Sequence, residues 1–118
     1  MKEISDFEIK RLSLLIVEKL YEEFSPETVD EDGVYDKTFE NMVKVDTYEV
    51  DFKYKYSYRD WLRDKYGDGI KCERKFLQLE EFELTIIDPA TEDFINISKE
   101  YISLIGKTFF EKIKYYYS

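Results

Sequence analysis

Tyr48-Glu49-Val50-Asp51-Phe52-Lys53-Tyr54-Lys55-Tyr56-Ser57 alternates apolar or aromatic residues with charged or polar ones. Successive side chains of an extended chain point to opposite faces, so this period of two is that of a half-buried β-strand, carried by residues of high strand propensity. A weaker strand signal lies just upstream at Val43 to Val45, either separate or the start of the same strand. Before it, the acidic stretch from Val29 to Gly33 reads as a turn.

Downstream, Ser57-Tyr58-Arg59-Asp60 has the form of a capping box, and Gly67 suits a left-handed C-terminal cap. The pattern predicts a short helix from Tyr58 to Tyr66 with Trp61 and Leu62 toward the core; the alternative is a strand that continues through Tyr58 into a long loop. Gly67-Asp68-Gly69 is a turn on either reading. Leu77 and Leu79 alternate in one phase and Phe82, Leu84 and Ile86 in the other, so Glu80-Glu81 marks a bulge or a tight turn. Asp88-Pro89-Ala90-Thr91 is a turn, and Phe94 to Ile97 reads as a short strand.

Helices flank these strands. Ser5-Asp6-Phe7-Glu8 is a second capping box, with Ile4 and Ile9 placed to staple the first turn. Ile9, Leu12, Ile16, Leu20 and Phe24 then recur at helical spacing, which predicts a helix from Asp6 to about Phe24, stopped by Ser25-Pro26. At the other end Ser98 caps a helix whose apolar face is Ile102, Ile105, Phe109, Ile113 and Tyr116 or Tyr117. The expected architecture is α+β: N- and C-terminal helices packed on a small, mostly antiparallel β-sheet, with a short inserted helix. At 118 residues, without repeat or linker, residues 1–118 form one domain.

Hydrophobic residues make up 43% of the chain, which suits a packed core, and no apolar run approaches the ~20 residues of a membrane span. Met1-Lys2-Glu3-Ile4-Ser5-Asp6 has neither a basic nor an apolar leader region, so no signal peptide is expected. The single Cys72 fits a reducing compartment. A cytoplasmic protein, or one inside a particle assembled in the cytoplasm, is the expectation, with the Asn96-Ile97-Ser98 sequon unused. Abundant Lys, Ile, Phe and Tyr beside one alanine points to AT-rich coding DNA, as in a bacterium, phage or mobile element.

Catalysis finds little support. The chain has no histidine, which removes the commonest proton-transfer group and metal ligand. Gly33, Gly67, Gly69 and Gly106 match no phosphate-binding spacing. Thr28-Val29-Asp30-Glu31-Asp32-Gly33 imitates a calcium loop, but the coordinating ends would be Thr28 and Phe39, so it reads as a solvated acidic loop. Asp51-Phe52-Lys53, with Asp36 and Asp46 upstream, imitates a metal-dependent nuclease pattern, yet reads equally well as the solvent side of a strand. Cys72 has basic neighbours but no base or second thiol, and reads as incidental. No catalytic residue, metal site or cofactor is expected.

Charge and tyrosine are the unusual features. The net charge is −9, which disfavours direct nucleic-acid binding. Glu22 to Asp36 carries seven acids and no base, and Glu80 to Asp93 six and no base, whereas Lys53 to Lys75 carries eight bases and four acids. Distinct acidic and basic faces are therefore expected, with Glu27, Asp30, Glu31, Asp32, Asp36, Glu80, Glu81, Glu92 and Asp93 as the acidic-surface candidates. The eleven tyrosines are either amphipathic core residues or an interface. The interface candidates are Tyr54, Tyr56, Tyr58, Trp61, Tyr115, Tyr116 and Tyr117. Tyr54 and Tyr56 beside Lys53, Lys55 and Arg59 also have the residue types for base stacking, against the net charge.

Two function classes follow. One is a non-catalytic protein-binding or assembly subunit, such as a phage or mobile-element structural component, with a protein partner, a homo-oligomer or a larger assembly. The other is an acidic inhibitor of the immunity, anti-restriction or anti-CRISPR type, which blocks a nucleic-acid enzyme by carboxylate mimicry of DNA.

Overall fold

The computed structural model describes residues 1–26, 31–64 and 70–117, with the side chains of residues 63–64 and 70–72 excepted. Its elements are α1 (Asp6–Glu23), β1 (Gly33–Val45), β2 (Tyr48–Asp64), β3 (Ile70–Asp88), β4 (Asp93–Phe94) and α2 (Lys99–Tyr117). The four strands form one antiparallel sheet in the order β1-β2-β3-β4. Both helices pack on one face and leave the other open, which is the expected α+β arrangement.

The caps work as the sequence implies, with one change. Ser5 Oγ accepts the Glu8 N–H at 3.2 Å, but the Glu8 carboxylate turns to Arg11 instead of back to Ser5. Arg11 also donates to Asp46 Oδ2 at 2.6 Å. Asp46 has a left-handed backbone (φ 56°) in the two-residue β1–β2 turn, so this bond fixes the hairpin to α1. Ser98 Oγ accepts the Tyr101 N–H and starts α2.

The inward row of the sheet is continuous across three strands. Val43–Val50–Ile86, Asn41–Phe52–Leu84, Phe39–Tyr54–Phe82 and Tyr35–Tyr58–Phe76 are cross-strand neighbours. Against them pack Leu12, Ile16, Leu20 and Phe24 of the α1 segment and Ile105, Phe109, Phe110 and Ile113 of α2. Lys55 pairs with Glu81 and Tyr56 with Leu79, which leaves Glu80 as an extra, bulged residue where the sequence changes phase. A second shift leaves Leu77 unpaired in the same way, so the two bulges keep Leu79 and Phe76 on the inward face.

The inserted helix is a correction. β2 runs unbroken through Tyr58, as the alternative reading had it, and on through Trp61 to Asp64, where that reading placed a loop. The local cap signal loses because Asp60 pairs with Arg74 of β3 and Tyr58 continues the inward row. Trp61 lies on the open face, half-buried, and its indole N–H donates to Glu73 Oε2 at 3.0 Å. The expected turn at residues 67–69 and the Cys72 side chain lie outside the described residues. β1 is also much longer than the Val43–Val45 signal, because Lys37 and Asn41 interrupt its inward row and hide the alternation.

Strands of 17 and 19 residues span about 56–63 Å at ~3.3 Å per residue, against about 27–29 Å for helices of 18 and 19. The helices therefore cover roughly half the sheet, and the molecule is elongated at 58 × 23 × 20 Å.

Candidate functional site

The tyrosines of β2 belong to the core. Tyr54, Tyr56 and Tyr58 are buried on the inward face, where Tyr54 meets Phe109 edge-on at 5.0 Å and Tyr56 lies beside Phe24 and Phe76. No partner reaches them without opening the fold. They also point away from Lys53, Lys55 and Arg59, which lie on the opposite face, so the stacking arrangement does not form.

At the end of α2 the outcome differs. Tyr115 and Tyr116 are 79% and 62% exposed, while Tyr117 packs its ring on Phe24 and Tyr21. Burial of Tyr21, with Tyr117 beside it, raises that phenol's pKa, and Lys112 Nζ lies 4.6 Å above the Tyr21 ring.

The acids are placed by the meander. β2 carries the basic segment between two acidic edges, so on the open face Lys53 lies between Glu40 and Glu83, and Lys55 between Thr38 and Glu81. Lys55 Nζ is 3.6 Å from Glu80. Segregation in sequence thus becomes alternation in space, and this part of the face is mixed in charge. Asp36 is level with Gln78, whereas Asp93 pairs with Asp88 about nine residues, or roughly 30 Å, along the sheet. Glu92 sits in the tight turn before β4 with φ 58°. Asp32 serves the fold, its Oδ1 accepting the Leu62 N–H at 2.6 Å, whereas Glu31 is exposed and lends only its backbone carbonyl to the Tyr35 hydroxyl. Glu27 and Asp30 lie outside the described residues.

The nuclease-like acids are dispersed in the same way. Asp51 and Lys53 occupy the open face, Asp36 is about six residues away along the sheet, and Asp46 is engaged by Arg11. Among the described residues, no three acidic or cysteine side chains converge as a metal ion would require. No helix is long and apolar enough to cross a membrane among the described residues.

An apolar surface that sequence reasoning missed runs along the outer seam of the helix pair. Leu14 of α1 and Leu104 of α2 are 69% and 56% exposed and flank a groove of about 310 Å³ floored by Val17 and Ile105. Ser13 and Thr108 line it too, but each hydroxyl donates back to its own helix, to the Ile9 and Leu104 carbonyls at 2.7 Å. Their hydrogen-bonding capacity is spent locally, and Lys10 is the charged residue of the lining. The available signal was a large apolar residue off the buried stripe of each helix, Leu14 against Leu12–Ile16 and Leu104 against Ile105–Phe109.

Comparison with protein-family models, with curated proteins and with solved structures finds no match to this chain.

Proposed function

We propose that this chain is a non-catalytic protein-binding or assembly subunit that docks a protein partner on the outer seam of its two helices. The observation that carries this reading is the apolar groove between Leu14 and Leu104, exposed on an otherwise highly charged molecule. Isolated exposed leucines are ordinary, but a contiguous, mostly apolar groove is what a partner helix or apolar segment buries. Burying the exposed part of each leucine favours docking through the apolar area removed from water. Tyr115 and Tyr116 supply further exposed aromatic area on α2. The absence of histidine supports a non-catalytic role, and the AT-rich coding signature fits a structural component of a phage or mobile element.

The acidic-inhibitor alternative draws support from the charge of −9. It draws none from the middle of the open face, where Lys53 and Lys55 interrupt the carboxylates that a DNA mimic would align. The test is size-exclusion chromatography with light scattering, followed by capture from the native cells. A homo-oligomer or a stoichiometric assembly partner supports the reading. A monomer that captures only one nucleic-acid enzyme favours the alternative, and a monomer that captures nothing contradicts both.

A further inference from the structure

β3 has two edges, and β2 covers one. On the other, β4 pairs only with Ile87 and Asp88. The Ile95 N–H then reaches the Ile86 carbonyl at 2.9 Å, and the chain turns away toward α2. The N–H and C=O of one strand residue share a side and alternate with those of the next. The outward Ile86 carbonyl therefore places the backbone polar groups of Leu84 and Phe82 on the same free edge. Among the described residues, no strand lies alongside them. From Glu81 to Ile87 the register with β2 is unbroken, and the stretch has no proline and no inward charge. The bulges that blunt an edge lie farther back, at Leu77 and Glu80.

A groove of about 670 Å³ runs beside this edge, between β3 and α2. Leu79, Phe82, Ile102 and Phe110 supply its apolar part, and Glu80, Lys99, Lys107 and Glu111 its charged rim. On the open face, Glu81 and Glu83 are exposed and form no ion pair among the described residues.

We propose that the free edge of β3 from Glu81 to Thr85 is a strand-addition site for an extended segment of a partner protein in which apolar residues alternate with lysine or arginine. The required chemistry is already present on the other side of the same residues. There β2 sets Tyr54 opposite Phe82 and Phe52 opposite Leu84, with Lys55 opposite Glu81 and Lys53 opposite Glu83. Directly opposite side chains on one face decide strand pairing, and a strand on the free edge meets the same two rows. Its apolar side chains enter the groove, and its cations lie beside the two glutamates. A second copy of this chain does not fit, because its own β3 edge would set Glu81 and Glu83 beside the same glutamates, and its β1 edge carries Asp36 and Glu40 in the outward row. The β1 edge is also the poorer acceptor, since Lys37 and Asn41 interrupt its inward row.

The proposal rests on the protein-binding reading but uses a surface separate from the Leu14–Leu104 seam, so the two fail independently. The probe is a fluorescein-labelled peptide with the sequence of residues 50–57, Val-Asp-Phe-Lys-Tyr-Lys-Tyr-Ser, titrated into the full chain by anisotropy. Saturable binding is expected, weakened about tenfold or more by Glu81→Lys with Glu83→Lys in a chain of unchanged circular dichroism, or by Lys→Glu at both peptide lysines. Backbone N-methylation of one alternate set of peptide residues abolishes binding, and methylation of the other set leaves it intact. The proposal is overturned if the peptide does not bind, if both methylated peptides bind like the parent, or if Glu40→Lys weakens binding and the β3 variant does not.

Discussion

The Asp60 carboxylate has no solvent-accessible surface and accepts two hydrogen bonds from Arg74, from Nε and Nη2, each of 2.7 Å. The guanidinium also lies over the Tyr58 ring at 4.2 Å. This pair joins β2 to β3 at the level where the sequence alone favours a helix.

Removing one member strands the other charge in a desolvated place. Arg74→Met should destabilise the fold by about 3–5 kcal/mol, whereas Asp60→Leu combined with Arg74→Met should recover most of that loss. Chemical denaturation of the parent, Arg74→Met, Asp60→Leu and the double variant checks this, and a double-variant loss equal to the sum of the two single losses would show that the pair is not coupled.

Gly106 is set by a close steric contact between α2 and β3. A Cβ at this position would lie 2.7 Å from Cγ and 3.1 Å from Cβ of Phe82, atoms near the root of that side chain that cannot swing clear. Gly106→Ala gains roughly 0.5–1 kcal/mol of helix propensity but meets an overpacking cost of about 1–3 kcal/mol. Net destabilisation is expected in thermal unfolding, and Phe82→Ala, which removes Cγ and the ring, should cost less in the alanine background than in the parent.

Both helices were legible in the sequence because their information is local: Ser5 and Ser98 are caps, and Ile9-Leu12-Ile16-Leu20 and Ile105-Phe109-Ile113 are stripes at one period. The central strand was legible for the same reason. Residues 58–64 were not, since their conformation depends on Arg74, fourteen positions from Asp60. The candidate surfaces were the least legible part. Whether Tyr54 or Tyr115 faces solvent depends on which elements cover it, and periodicity does not report that. Nor does a charge run show that the meander will set Lys53 between Glu40 and Glu83.

Burial drives the Tyr54 phenol's pKa well above its ordinary value, with neighbouring Tyr56 adding to the effect. Burial raises Tyr21 and Tyr35 in the same direction. A raised folded pKa means that the unfolded chain releases its proton first. The stability these phenols contribute is therefore complete below about pH 10 and is lost as pH rises toward the folded values. Alkaline unfolding followed by circular dichroism should show Tyr54→Phe losing less stability between pH 10 and 12 than the parent. An unchanged slope would contradict the assignment.

The central claim is that a protein partner docks between Leu14 and Leu104. Its most direct measurement compares capture by the tagged chain and by the Leu14→Lys, Leu104→Lys double variant from the same native cells. Both side chains are largely exposed, so the variant should keep its melting temperature. The predicted result is a stoichiometric partner retained by the parent and lost by the folded variant. A partner held equally by both proteins would contradict the claim.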